Sequence, residues 1–162
     1  MLHSVLRLLF VEQVSIRNLP VIIETVAKLR PLHASPEATY EFVRQALGFQ
    51  LKANLKRKDG TIPLIQLAPE WEQTFSTYQL ETEQGIANIA LPPDLFSKLV
   101  ASVGDQVSEQ TERGVTPAIV TSTQRRRFLR TVISTRGIAA PVLSFEEIGT
   151  EAVPAIVGVA VA

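Results

Sequence analysis

The sequence contains no cysteine. A disulfide framework, a thiolate zinc site and a cysteine nucleophile are thereby excluded together. Histidine is scarce as well: His3 and His33 are the only two, too few for a multi-histidine metal centre. Neither sign of charge prevails, since 16 Lys and Arg offset 16 Asp and Glu. A chain without net charge lacks the long-range attraction of a general nucleic-acid or anionic-membrane binder, although a local basic patch stays open. Long hydrophobic runs are also missing. The segment 2–11 is broken by His3 and Arg7 and is followed by no small-residue cleavage site. The apolar tail after Glu151 is far shorter than the roughly twenty residues of a membrane-crossing helix. The expectation is a soluble chain. Its 162 residues suit one domain or two small ones, and 46% apolar against 20% charged residues is ordinary globular usage.

What is present begins with helical periodicity. Leu2, Val5, Leu6, Leu9 and Phe10 recur at steps of three and four, which makes one apolar face. Asn18 and Pro20 are suited to open a second helix, striped by Leu19, Ile22, Ile23, Val26 and Leu29 and stopped at Pro31. Ser35, Pro36 and Glu37 supply the cap, first-turn proline and N-terminal carboxylate of a third. Tyr40, Val43, Ala46, Leu47 and Leu51 form its expected buried face.

The pattern changes at Lys56-Arg57-Lys58-Asp59-Gly60, a charged turn. Short apolar runs at 62–67, 86–91, 117–121, 141–145 and 155–161 then read as strands. A short turn at Pro69 to Glu72 and two amphipathic helices separate them. The first of these helices opens at Pro92-Pro93-Asp94 and ends near Gly114. The second is capped by Ser122 and stopped by Gly137. Strands alternating with helices through tight joints imply parallel pairing. The expected architecture is therefore α+β to α/β: a small three-helix subdomain over residues 1–56, then a small α/β sandwich with a mostly parallel sheet over 57–162.

Candidate chemistry is sparse. In Arg125-Arg126-Arg127-Phe128-Leu129-Arg130, a helix is expected to turn Phe128, Leu129, Val132 and Ile133 to the sheet and Arg126, Arg127 and Arg130 outward. Such a face is an anion or acidic-partner site, or simply a solvated surface. Without interleaved surface aromatics it does not fit nucleic acid. Neither Leu91-Pro92-Pro93-Asp94 nor Thr121-Ser122-Thr123-Gln124 is a glycine-rich phosphate loop, and Ser122 reads mainly as a cap. No serine lies in a nucleophile elbow, and His33 reads as a surface loop residue. The carboxylate pairs Glu70/Glu72, Glu81/Glu83 and Glu146/Glu147 show no acid–base arrangement; the last, read on a strand end, suits pairing with Arg or Lys. Trp71 is expected to anchor the core. No catalytic, cofactor or metal residue is assigned.

Several segments carry a resemblance. Leu8-Leu9-Phe10-Val11-Glu12-Gln13-Val14-Ser15-Ile16-Arg17-Asn18-Leu19-Pro20 followed by Ile22-Ile23-Glu24 resembles a signature of the large export-gate proteins of flagellar and virulence type III secretion, the FHIPEP family. Tyr40-Glu41-Phe42-Val43-Arg44-Gln45-Ala46-Leu47-Gly48, Asp59-Gly60-Thr61-Ile62-Pro63-Leu64-Ile65-Gln66-Leu67 and Pro69-Glu70-Trp71-Glu72-Gln73 follow in the family's order. Arg126-Arg127-Phe128-Leu129-Arg130 and Pro141-Val142-Leu143-Ser144-Phe145-Glu146-Glu147-Ile148 complete the set. Asn18 stands where the family tends to have Asp, Phe145-Glu146 replaces a usual Tyr-Asn, and the tail after Gly149 matches poorly.

The resemblance implies the third and fourth cytoplasmic subdomains of such a gate, with the membrane attachment supplied by an N-terminal domain absent from this sequence. It implies a non-enzymatic module without cofactors at the cytoplasmic face of the bacterial inner membrane. The implied partners are other copies in a homo-nonameric ring, export chaperone–substrate complexes, a gatekeeper and the ATPase stalk, with no nucleic acid. On that reading the charges Arg17, Glu24, Arg30 and Arg44, expected to be exposed on the helical unit, are candidate ring contacts or else pair within their own subdomain, and Arg126, Arg127 and Arg130 are candidate stalk or chaperone contacts. The rival reading is a small phosphate-ligand enzyme with its anion site between Ser122 and Arg127, which predicts a deep pocket at the carboxyl ends of the parallel strands.

Overall fold

The computed structural model describes residues 1–80 and 88–162. The chain divides into two compact units: Met1–Asn54 with Glu146–Gly149, and Leu55–Phe145 with Thr150–Ala162.

The first unit is helical. Helix α1 (Leu2–Val11) buries Val5 and Leu9, α2 (Leu19–Leu29) buries Ile22 and Val26, and α3 (Pro36–Ala46) buries Tyr40 and Val43. With Val14 and Leu47 these side chains form one core. Proline at position 31 does not stop the backbone outright. Arg30–Leu32 continues α2 as a tight 3-10 turn, and His33 ends it in the left-handed region at φ 51°. Ser35 caps α3 by accepting from the Ala38 N–H at 3.1 Å. Asn18 occupies the corresponding position of α2 but makes no side-chain cap bond.

The expected third helix is split in two. It breaks after Leu47, and α4 (Gly48–Ala53) starts at once. A Cβ at position 48 would lie 2.7 Å from the carbonyl oxygen of Glu147, so only glycine permits that approach. The close neighbour belongs to a segment about a hundred positions away, the short helix α8 (Phe145–Ile148). The strand-end setting read for Glu146 and Glu147 is corrected accordingly: both lie in α8.

The second unit is an α/β layer. Strands β1 (Thr61–Leu67), β4 (Ala118–Thr121), β5 (Val142–Ser144) and β6 (Val153–Ala160) form a parallel sheet in the order β5-β4-β1-β6. Helices α5 (Pro69–Thr77), α6 (Pro93–Glu112) and α7 (Thr123–Thr135) supply the rest of its core. Ile65, Trp71, Phe75, Leu99, Val103, Ile119, Leu129 and Ile133 are all buried there. Trp71 is 1% exposed, as a core anchor should be. Phe75 meets Phe128 edge to face at 5.3 Å, a favourable quadrupole geometry.

The run read as a strand at 86–91 does not join this sheet. Only Asn88–Ile89 is a strand, β3, pairing antiparallel with β2 (Gln79–Leu80); Ile86 and Ala87 fall outside the described residues. The last strand, β6, lies at the sheet edge. Its register slips by one residue: Leu64 faces Ile156 but Ile65 faces Gly158. Val157 is the extra residue of this bulge, and its carbonyl accepts from Gln110 Nε2 at 3.0 Å. An irregularity of this kind frees a backbone acceptor, and a buried amide satisfies it.

Candidate docking surfaces

Arg44 leaves α3 toward α8 within the helical unit. Its Nε donates to Glu147 Oε1 at 2.7 Å and its Nη2 to Glu147 Oε2 at 3.3 Å, a bidentate fork. Nη1 donates to Glu12 Oε2 at 3.0 Å and to Tyr40 Oη at 3.4 Å. Arg44 and Glu147 are both buried. The expectation of Arg44 as an exposed charge is therefore corrected: it ties α1, α3 and α8 together. Glu147 does find the arginine partner read for its pair; Glu146 is exposed but not without a partner.

The other three candidates of that group are on the surface. Arg17 and Arg30 are exposed, and exposed Glu24 pairs with Lys28 at 2.9 Å along α2. The Lys28 hydrogen bond and charge hold the Glu24 carboxyl below its ordinary value. Arg17 also lines a depression of about 260 Å³ with Asn18, Phe49, Gln50 and Ala53.

The arginine run of α7 divides three ways. Arg126 is fully buried and is not without a partner, so its expected outward placement is corrected. The reason lies in helical spacing: Arg126 precedes Leu129 by three and Ile133 by seven, which puts it on the buried stripe. Arg125 is buried on the same side. Its Nε and Nη2 donate to Glu72 Oε1 at 3.0 and 2.8 Å, Nη1 to Gln79 Oε1 at 2.9 Å and Nη2 to Ser76 Oγ at 3.2 Å. Arg127 and Arg130 remain half-buried on the outer flank.

An open groove of about 450 Å³ lies outside the carboxyl ends of β1 and β4. It is lined by Gln66, Leu67, Thr121 and Ser122 from the strand ends, Glu72 and Phe75 from α5, Gln124 from α7, and Phe145. This is where a parallel sheet presents ligand sites. Its chemistry differs from the phosphate site of the rival reading, because among the described residues the one charged side chain in the lining is a carboxylate. The arginines expected to hold an anion point elsewhere or are buried. Ser122 sits at the N-terminus of α7 without making a cap bond. The sequence reading missed Glu72 as part of a site. The available signal was its place on the first turn of a helix that starts two residues after a strand.

Among the described residues, no group of three or more His, Asp or Glu gathers as for a metal. None of the helices there is long and apolar enough to cross a membrane. Glu81 and Glu83 lie outside the described residues. His33 is exposed in its turn.

The described residues thus form a two-unit chain, one unit helical and the other built on a four-stranded parallel sheet. The chain belongs to the FHIPEP family, whose model matches residues 1–153. It is 34% identical over 131 residues to the flagellar biosynthesis protein FlhA of Caulobacter vibrioides, covering 81% of this chain and 19% of that protein. It is 30% identical over 148 residues to the protein hrpC2 of Xanthomonas euvesicatoria, covering 91% and 22%. The chain thus spans about a fifth of the length of these relatives. The fold is that of the nonameric SctV-C from EPEC, with a TM-score of 0.84 at 21% identity over 96% of this chain and 46% of that one. The CdsV protein of Chlamydia pneumoniae gives 0.84 at 24% identity over 96% and 44%. The parallel sheet and the mixed helical and strand architecture expected from the sequence are confirmed by this likeness.

Proposed function

We propose that this chain is a non-enzymatic scaffold and docking module of a type III secretion export gate, working at the cytoplasmic face of the bacterial inner membrane. It contributes to a homo-nonameric ring that receives export substrates with their chaperones, the gatekeeper and the ATPase stalk. The observation that carries this reading is the match of nearly the whole chain to the fold of a protein solved as a nonamer, together with family membership over residues 1–153. A second likeness supports partner binding: CdsV of Chlamydia pneumoniae was also solved in complex with CdsO, with a TM-score of 0.78 to this chain.

The mechanism is multivalent binding. A closed ring repeats each weak surface around one axis, so contacts that fail singly succeed together. Arg17, Glu24 and Arg30 are the ring-contact candidates that stand exposed, and Arg127 and Arg130 are the stalk or chaperone candidates. Arg44 and Arg126 serve inside their own units.

Sedimentation velocity over a range of concentrations tests the ring contacts. The wild-type chain is expected to self-associate more than Arg17→Glu/Arg30→Glu. Pull-down of the cognate stalk protein tests the second surface, with loss expected for Arg127→Glu/Arg130→Glu. A monomeric chain that ignores the stalk but binds a nucleotide near Ser122 overturns the proposal in favour of the enzyme.

A further inference from the structure

The groove at the ends of β1 and β4 has no part in the contacts proposed so far. About half of its lining is apolar, with Leu67, Phe75 and Phe145 among the residues there, and Phe145 is half exposed. Its volume falls in the range of about 300–1,000 Å³ usual for ligand sites. The groove is open, however, and a small molecule seated there would keep much of its surface in water, unlike the 70–90% burial common for such ligands. A protein segment laid along an open groove has no such requirement.

The polar side of the groove selects the segment's chemistry. Both hydrogen bonds from Arg125 to Glu72 end on Oε1. Oε2 of Glu72 has no partner among the described residues, and the side chain is 56% exposed. Arg125 itself is 3% exposed and does not line the groove. It holds the carboxylate in place while an incoming group meets the remaining oxygen. Gln66 and Gln124 add neutral amides. An anion placed there faces a carboxylate with no cation among the described lining residues; a guanidinium or ammonium finds a held acceptor.

We propose that this groove receives a basic residue and an adjacent aliphatic residue of a protein partner. The cation donates to Glu72, and the aliphatic side chain seats on Leu67, Phe75 and Phe145. The inference rests on the docking role proposed above only in that the occupant is a protein. It does not depend on ring assembly or on Arg127 and Arg130.

The probes are three capped pentapeptides, Leu-Ala-X-Leu-Ala, with X as Arg, Gln or Glu, titrated into the full ¹⁵N-labelled chain. The Arg peptide is expected to shift the amide signals of Leu67, Thr121 and Ser122 saturably. Its affinity is expected to exceed that of the Gln and Glu peptides by about fivefold at low salt, the upper range for an exposed ion pair, and to fall as salt rises. Glu72→Gln removes that preference. Because Glu72 also holds Arg125, Ser122→Lys is the companion variant: it leaves the Glu72–Arg125 pair intact, places a cation in the lining and is expected to weaken the Arg peptide by a similar factor. Equal binding of the three peptides, shifts confined to other residues, or shifts at the groove with inorganic phosphate alone would overturn the proposal. Failure here with self-association intact rejects the groove and leaves the docking module standing; the reverse result rejects the ring and leaves the groove.

Discussion

Arg44 and Glu147 stand 103 positions apart in the sequence and meet in a buried fork whose shorter arm is 2.7 Å. Desolvating both ions is costly, so their attraction is not a simple surplus of stability. Removing one partner is different, because it strands the other charge. Glu147→Ala is expected to destabilise the chain by about 3–5 kcal/mol. Arg44→Met/Glu147→Leu should lose much less than the sum of Arg44→Met alone and Glu147→Leu alone. Urea unfolding of all four members of the cycle measures this. Additive losses would show that the pair is not coupled.

The backbone beside that pair makes its own demand. Gly48 can open α4 only because it has no Cβ to meet the Glu147 carbonyl oxygen at 2.7 Å. The obstructing atom belongs to backbone and cannot rotate away. Gly48→Ala is expected to cost about 1–3 kcal/mol, well beyond the small gain that alanine brings to an ordinary helix. Thermal melting decides the sign. A variant that melts higher than the parent would mean that α8 gives way easily.

These two relationships also mark how far the sequence could be read. Most core positions were legible because their spacing follows the period of their element: Val5 with Leu9, Ile22 with Val26, Leu99 with Val103. Each needs only its own helix to be recognised. The demand for glycine at position 48 was not legible, since the carbonyl that approaches it belongs to a residue in another part of the chain. Arg126 was misplaced because charge was allowed to outweigh spacing; its distance from Leu129 and Ile133 already put it on the buried stripe. The groove escaped notice for a related reason. Its lining comes from two strand ends and the helices after them, and Glu72 acquires meaning only where Arg125 reaches it.

The bulge of β6 gives a third expectation. Gln110 is 3% exposed and donates to the Val157 carbonyl, the acceptor at the slip in register between β1 and β6. Gln110→Leu keeps comparable bulk but leaves that carbonyl without its partner. A loss of about 1–3 kcal/mol follows, concentrated at the edge strand. Hydrogen exchange should therefore show faster opening at β6 than at β4. Uniform exchange with unchanged urea stability would show that water replaces the amide without penalty.

Acid should act through the turn that enters β1. The Asp59 carboxylate accepts from Thr61 Oγ1 at 2.6 Å and from the Thr61 N–H at 3.0 Å. These bonds favour the ionised form and hold the carboxyl below its ordinary value of 3.8. A group depressed on folding contributes its stabilisation above its unfolded pKa. That contribution starts to fade near pH 3.8 and is gone once the pH has fallen through the folded value. Asp59 is exposed, so salt and solvent keep the effect small. The comparison that isolates it is the melting temperature of wild type and Asp59→Asn between neutral pH and pH 3. The variant should begin lower and lose less on acidification, so that the two curves converge at the acid end. Parallel curves would show that the Thr61 bonds do not favour the charged form.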